Sequence, residues 1–399
     1  MTTTRTIMHA DLDQFFCACE EQRDPTLRGK PFAVGGRPEG RGVVASASYA
    51  ARAFGVRSAM PMAHAVRLCP ELIVVRPNFP AYRVASQQVM ERLHALTELV
   101  EQISIDEAFL DVSVLGEPGE QVAQRLQGTI RTELDLSCSI GVATNKLVAK
   151  IATDVGKGMA RSGAIPSAIC VVPPGEEAAF LAPLPASALW GVGPKTAEKL
   201  AGMGMLTIGD IAAWPPEDLA RRFGQHGEDL ARRACGVDDR PIVTERAAKS
   251  ISQETTFAHD VRDRTRLEQT LRVQAHEVAA KLQRKELMGT SVKLKIRWPD
   301  FTTPTRQLTL PQPTDEAEVI VEAALRLFNQ IWPERQPVRL IGVGVSGLGT
   351  PPRQLSLWDA PTPEEQARQA RLRAALAAVQ GRFGKDAARR GSELGAEEG

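Results

Sequence analysis

The sequence has no excess of charge of either sign, with 49 Lys and Arg residues against 48 Asp and Glu residues and a formal net charge of +1. This balance excludes a protein that wraps nucleic acid through a basic field over its whole surface, although it leaves room for local basic faces. The chain also has no apolar run near the roughly 18 residues that a membrane-spanning helix needs. Its first residues contain no signal-peptide core. We therefore predict a cytoplasmic protein without a membrane partner.

Cysteine is scarce and irregularly spaced. The six cysteines are Cys17, Cys19, Cys69, Cys138, Cys170 and Cys235. Cys17 and Cys19 have no second pair at zinc-ligand spacing, which argues against a structural zinc site. We expect reduced thiols packed in the interior, as is usual in a reducing compartment.

The composition itself is that of an ordinary globular protein, with 43% hydrophobic and 24% charged residues over 399 positions. A chain of this length favours two or three domains. Strand and helix patterns alternate up to about residue 172, and short helices punctuated by Gly and Pro follow. Residues 237–246 are polar and predict a linker, after which strand and helix alternate again over 247–349. The remaining residues, 350–399, predict a tail.

The first region predicts a mixed α+β domain. The patterns indicate strands over 6–11 and 138–143, a hairpin over 102–112, and helices over 81–100, over 120–134 and from Asn145. These strands bring acidic residues to one edge of a sheet.

Three acidic residues form a candidate metal site. Asp11 ends the first strand, and Asp106 and Glu107 are adjacent in the hairpin, so both reach one site only if they sit at its bend. Converging carboxylates repel one another, and a divalent cation removes that conflict. The alternative is that residues 106–107 form a solvated turn and that Asp11 is a helix cap. The spacing alone does not decide between these two interpretations.

Four motifs decide it. They are DLDQFF at residues 11–16, SASYAAR at 46–52, FGVRSAMP at 54–61 and SIDEAFLD at 104–111. In this order they resemble the motifs of Y-family (translesion) DNA polymerases, in particular of the DNA polymerase IV type. The resemblance extends over about residues 5–358. It implies an α+β multidomain fold, a right-hand polymerase with palm, small fingers, helical thumb and α/β little finger.

The resemblance also implies domain boundaries. They are 1–14 and 81–172 for the palm, 15–80 for the fingers, 173–236 for the thumb, 237–246 for the linker, 247–349 for the little finger and 350–399 for the tail. By motif match, Asp11, Asp106 and Glu107 are the catalytic, metal-binding carboxylates, and the Leu12 carbonyl is a further ligand. The implied cofactor is a pair of Mg²⁺ ions, with Mn²⁺ as an alternative.

Residues near these acids predict a nucleotide pocket. Tyr49 and Arg52 share a helix face at i, i+3, so Arg52 could grip a triphosphate while Tyr49 donates its hydroxyl. The resemblance adds Ser46 as a hydroxyl donor and Lys157 as a phosphate-binding lysine. It also places the aromatic residues 15–16 beside the nucleotide.

Phe15 and Phe16 could be plain core aromatics. The resemblance instead makes Phe16 a steric gate, whose ring would exclude the 2′-hydroxyl of a ribonucleotide. Both residues are therefore predicted dNTP contacts, with Phe16 responsible for sugar discrimination.

Two regions predict contacts with primer-template DNA. LWGVGPKTAEKL at 189–200 resembles a helix-hairpin-helix, in which Gly191 and Gly193 permit a tight turn and Lys195 adds charge beside free backbone N–H groups. An ordinary helix turn with a glycine cap is the alternative. Within residues 247–349, one face of a predicted strand is basic, with Lys293, Lys295 and Arg297, and the opposite face is apolar. A solvated strand face is the alternative there.

QLSLW at residues 354–358 resembles the sliding-clamp-binding peptide of bacterial polymerases. Gln354, Leu355, Leu357 and Trp358 are its predicted clamp contacts. An exposed segment with this apolar content is costly for solubility unless a pocket receives it.

These interpretations together predict a template-directed DNA polymerase of the low-fidelity translesion type, without proofreading, that acts as a monomer on primer-template DNA and dNTPs. One rival is a nucleotidyl cyclase, which also uses paired acids and metals but needs neither the hairpin-helix nor the clamp peptide. The other is a catalytically silent DNA-binding scaffold, against which the three intact carboxylates argue.

Overall fold

A computed structural model of the chain describes residues 5–350 and, beyond them, Arg371, Ala375 and Ala378. The chain divides after Arg246 into two compact units, residues 1–246 and 247–399. Within the described ranges, no helix combines the length and apolar character needed to cross a membrane.

The first unit contains eight strands and eleven α-helices among its described residues. The strands are β1 (Ile7–Leu12), β2 (Phe32–Gly35), β3 (Val44–Ala47), β4 (Ile73–Val75), β5 (Val100–Gln102), β6 (Glu107–Asp111), β7 (Cys138–Ala143) and β8 (Ile169–Val171). The helices are α1 (Phe15–Arg23), α2 (Tyr49–Ala53), α3 (Met62–Leu68), α4 (Phe79–His94), α5 (Gly119–Leu134), α6 (Lys146–Gly158), α7 (Glu177–Leu181), α8 (Pro194–Ala201), α9 (Ile208–Ala213), α10 (Pro216–Phe223) and α11 (Gln225–Ala234).

Strand β1 lies at the centre of a five-stranded sheet with the order β5-β6-β1-β7-β8. It pairs antiparallel with β6 on one side and β7 on the other. Because side chains alternate along a strand, Met8 and Ala10 pack in the core that α4 and α5 cover, whereas Ile7 packs in the core beneath α6. His9 and Asp11 therefore lie on the α6 side of the sheet.

Most of the predicted elements of this unit are confirmed. The hairpin forms from β5 and β6, the strand over 138–143 is β7, and Asn145 caps α6 by accepting a hydrogen bond from the N–H of Val148 at 3.0 Å. The helix predicted over 81–100 was placed wrongly at both ends, since α4 runs from Phe79 to His94. The last residues of the predicted helix lead into β5 instead, because Val100 pairs with Leu110 in the sheet.

The cysteines are reduced, as predicted, and all six thiols are free. Four of them are fully buried, while Cys235 is exposed. The expectation of packed thiols is therefore confirmed for the four buried residues and is wrong for Cys235.

A short three-stranded sheet follows α1 along the chain, with the order β3-β2-β4. The region after β8 is helical, as predicted, and α7 to α11 pack partly on the same core as α6. Residues 237–246, predicted to be a linker, contact the five-stranded sheet and α6. Asp238 accepts a hydrogen bond from the N–H of Leu147 at 3.0 Å, and the buried Glu101 accepts one from the N–H of Val243 at 3.0 Å.

The second unit is a four-stranded antiparallel sheet backed by two helices. Its elements are β9 (Ser250–Val261), α12 (Arg264–Arg284), β10 (Met288–Arg297), β11 (Thr305–Thr314), α13 (Ala317–Ile331) and β12 (Val338–Gly349). The strand order is β11-β10-β12-β9. Val292, Leu294 and Ile296 of β10 are fully buried against the helices, so the predicted alternation along this strand is confirmed.

Candidate active site

The three predicted carboxylates lie at one end of the central sheet. Asp11 of β1 is directly opposite Glu107 of β6, so their side chains project from the same face. Asp106 is in the bend just before β6, and its carbonyl accepts a hydrogen bond from the N–H of Leu12 at 2.9 Å. This bond ties the bend to β1, and Asp106 and Glu107 are both only partly exposed.

Glu107 is held by two donors on one oxygen. Its Oε2 lies 3.2 Å from Nε2 of His9 and 2.7 Å from Nζ of Lys150. The hydrogen bond from His9 and the hydrogen bond and charge of Lys150 together lower the pKa of Glu107 to about 2, although burial opposes them. Glu107 is therefore ionised at neutral pH.

Asp106 is in the opposite electrostatic situation. Burial raises the pKa of its carboxyl group, and the negative charges of Asp11 and Glu107 raise it further. A hydrogen bond from the Ser104 hydroxyl to Oδ1 of Asp106 partly opposes this rise. This is the repulsion expected of converging carboxylates, and a bound cation would relieve it.

Lys157 lies in the last turn of α6 and contacts two acids. Its Nζ is 2.8 Å from Oδ1 of Asp11 and 3.3 Å from Oδ1 of Asp13. Burial alone would lower the pKa of this lysine, but the two carboxylates outweigh it and raise the pKa. Asp13 is almost fully buried and accepts hydrogen bonds from the hydroxyls of Ser137 and Ser139 at 2.8 and 2.9 Å. Asp13 therefore serves to brace this corner of the fold.

Besides the predicted Lys157, helix α6 supplies three polar residues that the sequence interpretation missed. Lys146, Lys150, Thr153 and Lys157 are spaced four, three and four residues apart and so form one stripe along the helix. Lys146 pairs with the buried Glu101 at 2.8 Å, and the other three contact Glu107, His9 and Asp11. The polar stripe on an otherwise apolar helix was the signal in the sequence that could have identified them.

A cavity of about 260 Å³ adjoins these acids. It is lined by Asp11, Leu12, Gln14, Phe15, Phe16, Ala45, Ser46, Arg52, Ser58, Asp106 and Lys157. Eight of the residues predicted for the metal and nucleotide sites are thus brought together. Glu107 and Tyr49, also predicted, are not part of this lining.

The two adjacent aromatics differ in burial. Phe15 is 2% exposed and belongs to the core, whereas Phe16 is only partly buried. The Phe16 ring stacks on Tyr82 with centroids 4.5 Å apart and meets Phe79 edge-on at 5.9 Å. Phe16 is therefore supported on the side away from the cavity.

Tyr49 and Arg52 share a face of α2, as predicted. The Arg52 guanidinium lies 4.4 Å from the centroid of the Tyr49 ring, and its Nε donates to the carbonyl of Ala47 at 3.0 Å. The hydroxyl of Tyr49 is buried and has no hydrogen-bond partner among the described residues. An unpaired buried hydroxyl is costly, so Tyr49 retains a hydrogen-bonding group without a protein partner among the described residues.

The donor set at the acidic end suits a hard divalent cation. Three carboxylates and the Leu12 carbonyl supply only oxygen ligands, as Mg²⁺ and Mn²⁺ prefer. In the described part of the chain, no three His, Cys, Asp or Glu side chains stand in a chelating arrangement. Asp11 contacts Lys157 here, and exchange of that contact would free its Oδ1 for a cation.

The predicted DNA contacts lie elsewhere. Gly191 has a φ of +98°, Gly193 is the N-cap of α8, and Lys195 is exposed in its first turn. In the second unit Lys293 is exposed, Arg297 donates to the hydroxyl of Thr303, and Lys295 pairs with Glu254 at 2.7 Å. The predicted clamp peptide, 354–358, is outside the described residues.

Comparison with known families gives three matches. Residues 10–154 match the impB/mucB/samB family, residues 248–357 match the C-terminal domain of the same family, and residues 174–205 match the IMS family HHH motif. Together they extend over more than half of the chain.

Proteins named DNA polymerase IV are similar over nearly the whole length. One from Dehalococcoides mccartyi is 41% identical, covering 95% of each chain. One from Halorhodospira halophila is 41% identical over 90% of this chain and 100% of its own. Among solved structures, a Y-family DNA polymerase chimera built from Dbh and Dpo4 has a TM-score of 0.77 at 25% identity, covering 86% of this chain and 99% of its own. An insertion ternary complex of Dbh DNA polymerase has a TM-score of 0.62 at 26% identity, with the same coverage.

Proposed function

This chain belongs to the impB/mucB/samB family of Y-family DNA polymerases, and from that premise we propose how its residues carry out the reaction. The protein is a DNA-directed DNA polymerase of the low-fidelity translesion type, which acts in DNA damage tolerance and repair. It binds primer-template DNA and dNTPs and depends on a divalent metal. Its fold is that of a right-hand polymerase with palm, fingers, thumb and little finger.

The proposal rests on one observation, which is the meeting of Asp11, Asp106 and Glu107 beside a cavity that also presents Arg52 and Lys157. Carboxylates for cations and cationic side chains for a triphosphate then lie on two sides of one space. Phosphoryl transfer requires this arrangement, because catalysis there is mostly positioning and charge stabilisation.

The proposed cofactor is a pair of Mg²⁺ ions, with Mn²⁺ as an alternative. Asp11, Asp106, Glu107 and the Leu12 carbonyl would hold them. When bound, such ions activate the primer 3′-hydroxyl and neutralise charge on the phosphates. The carboxylates of this chain would orient them, and Glu107, which is ionised at neutral pH, would supply negative charge to the site.

The triphosphate is proposed to contact Ser46, Tyr49, Arg52 and Lys157. Arg52 can bind phosphate oxygens in a bidentate manner, and the orphaned Tyr49 hydroxyl gains an acceptor. Lys157 already lies between the acids and the cavity, so a short side-chain movement moves its ammonium group from Asp11 to a phosphate.

The sugar is proposed to lie against Phe16, with Phe15 behind it in the core. Phe16 carries no polar atom, so it can discriminate against a ribonucleotide only by shape.

We propose that residues 1–14 and 81–172 form the palm. The fingers would be residues 15–80, between the two palm segments, and the thumb would be residues 173–236, after the second segment. The little finger would be 247–349, joined by the linker 237–246 and followed by the tail 350–399. In the thumb, Gly191, Gly193 and Lys195 would bind a DNA phosphate through free N–H groups and charge. In the little finger, Lys293, Lys295 and Arg297 would follow the backbone of the duplex.

The tail segment with Gln354, Leu355, Leu357 and Trp358 is proposed to bind the sliding clamp. We also propose that the protein acts as a monomer, since one chain supplies the entire residue set described above. We also propose that it acts in the cytoplasm.

Primer extension on a defined template tests the function. The purified chain should add each dNTP according to the template base, and only with a divalent cation. Addition without a template would indicate a nucleotidyltransferase of another kind. DNA binding with no addition would indicate a scaffold, and either result would overturn the proposal.

A further inference from the structure

His9 is a fully buried histidine that the sequence motifs did not single out. Both of its ring nitrogens have polar partners, since Nε2 is 3.2 Å from Oε2 of Glu107 and Nδ1 is 2.9 Å from Oγ1 of Thr153. The ring also packs against Phe109, with centroids 4.8 Å apart and the planes tilted by 54°. Its orientation is therefore fixed at both edges and on one face.

The partners of His9 place a proton on Nε2. The ionised carboxylate of Glu107 can only accept, so the contact requires an N–H at Nε2. If the ring is neutral, Nδ1 accepts the hydroxyl hydrogen of Thr153. If the ring is charged, Nδ1 donates to Thr153, whose hydroxyl then donates to the carbonyl of Ala149 or His9, both at 3.1 Å. The donor to Glu107 is therefore the same in both protonation states of His9.

Both donors to Glu107 act on the same oxygen. Oε2 receives His9 and Lys150, whereas Oε1 receives no hydrogen bond from any residue between 5 and 350. Fixing one oxygen at two points restricts rotation of the carboxylate and leaves the other available.

We propose that His9 is a positioning residue that, together with Lys150, fixes Oε2 of Glu107 and so presents Oε1 for cation binding. Thr153 supports it by holding Nδ1. This inference rests on the proposed function, in which Glu107 is a cation ligand. Hydrogen-bonded partners of metal ligands commonly matter in this way, since their loss costs roughly 10- to 100-fold in metal affinity or activity.

The first test compares His9→Phe with His9→Gln. Phenylalanine retains the ring and the contact with Phe109 but removes the donor, whereas glutamine places an amide N–H near the position of Nε2. His9→Phe should lower kcat for single-dNTP addition roughly 10- to 100-fold, with KM for dNTP and primer-template affinity unchanged. His9→Gln should recover most of that loss. A His9→Phe enzyme with wild-type kcat, or a His9→Gln enzyme as slow as His9→Phe, would overturn the proposal.

A second measurement reads cation binding without turnover. Mn²⁺ titrated into the enzyme with a dideoxy-terminated primer-template and dNTP, followed by electron paramagnetic resonance, should show weaker binding in His9→Phe and near wild-type binding in His9→Gln. Equal Mn²⁺ affinity in the wild-type protein and His9→Phe contradicts the proposal.

Thr153 provides a matched pair should His9→Phe fail to fold. Thr153→Ser keeps the hydroxyl and should match the wild-type kcat and Mn²⁺ affinity, whereas Thr153→Val removes the hydroxyl at nearly constant shape and should lower both. Equal values for the two variants overturn the proposal. Failure of the proposed function is a different result, because the wild-type protein itself would then not extend primers.

Discussion

Replacing Phe16 with alanine should admit ribonucleotides. The Phe16 ring lines the cavity beside Asp11 and Lys157, and it is supported from behind by Tyr82 and Phe79. Because Tyr82 and Phe79 hold the ring in place, a ribose 2′-hydroxyl can be admitted only if the ring moves aside and out of both aromatic contacts. Alanine at position 16 removes that requirement while leaving the catalytic carboxylates in place.

The contacts of Phe16 set the size of the effect. Aromatic pairs are worth about 0.5–1.5 kcal/mol each, so displacing the ring from Tyr82 and Phe79 costs about 1–3 kcal/mol. At about 1.4 kcal/mol per factor of ten, the dNTP preference that depends on the ring is roughly 5- to 150-fold. We expect Phe16→Ala to lose a factor in this range.

The assay is the ratio of kcat/KM for a dNTP to that for the matching rNTP on one template. Phe15→Ala is the control, because Phe15 is buried in the core. It should cost about 3–5 kcal/mol of stability and leave the ratio unchanged. An unchanged ratio in Phe16→Ala, with deoxynucleotide addition intact, would refute the gate and leave Phe16 as a packing residue.

Three other changes have defined outcomes. Replacing Leu357 and Trp358 with alanine should weaken binding to the sliding clamp in a pull-down or calorimetric assay without slowing unassisted extension, and a loss of basal extension would contradict tethering as their role. Glu254→Gln should release Lys295, so that DNA binding becomes tighter and the slope of the logarithm of the DNA-binding constant against log[salt] steepens by about 0.9. Fluorescence anisotropy measures this affinity, and a value equal to the wild type would show that Lys295 does not reach DNA. Asp238→Ala should destabilise the protein by about 0.5–2 kcal/mol at pH 7, since Asp238 accepts the N–H of Leu147 in the first turn of α6. Burial raises the pKa of Asp238, but Arg240 outweighs burial and lowers that pKa below its ordinary value. The contribution of Asp238 to stability is therefore present above the ordinary Asp pKa and is lost as pH falls through the lowered value. A difference in Tm between the variant and the wild type that stays constant down to acidic pH would contradict this role.

The sequence predicted the acidic centre because its signals are local. Asp11 ends an apolar strand, and residues 106–107 lie between two short apolar runs, so a hairpin bend follows from the pattern. The motif resemblance then decided between a cation site and a solvated turn. What it could not provide was the register, which places Asp11 directly opposite Glu107 and results from pairing between residues nearly a hundred positions apart.

The residues that surround the acids were harder to predict. His9 reads as one polar residue in an apolar strand, and its role depends on Thr153, which comes from a helix far along the chain. The end of α4 was also misplaced, because no Gly or Pro marks it and the pairing of Val100 with Leu110 overrides the helical pattern. Lys295 resembled a free DNA contact, since nothing local reveals that Glu254 on another strand pairs with it.

Nucleotide addition by Glu107→Ala shows whether Glu107 is a catalytic carboxylate. The rate of one templated dNTP addition would be measured under single-turnover conditions, together with primer-template affinity. Glu91→Ala serves as a control, because Glu91 is an exposed carboxylate on α4. Glu107→Ala should bind DNA like the wild type but add no nucleotide, while Glu91→Ala should retain both activities. Near wild-type addition by Glu107→Ala would contradict the assignment of the catalytic carboxylates.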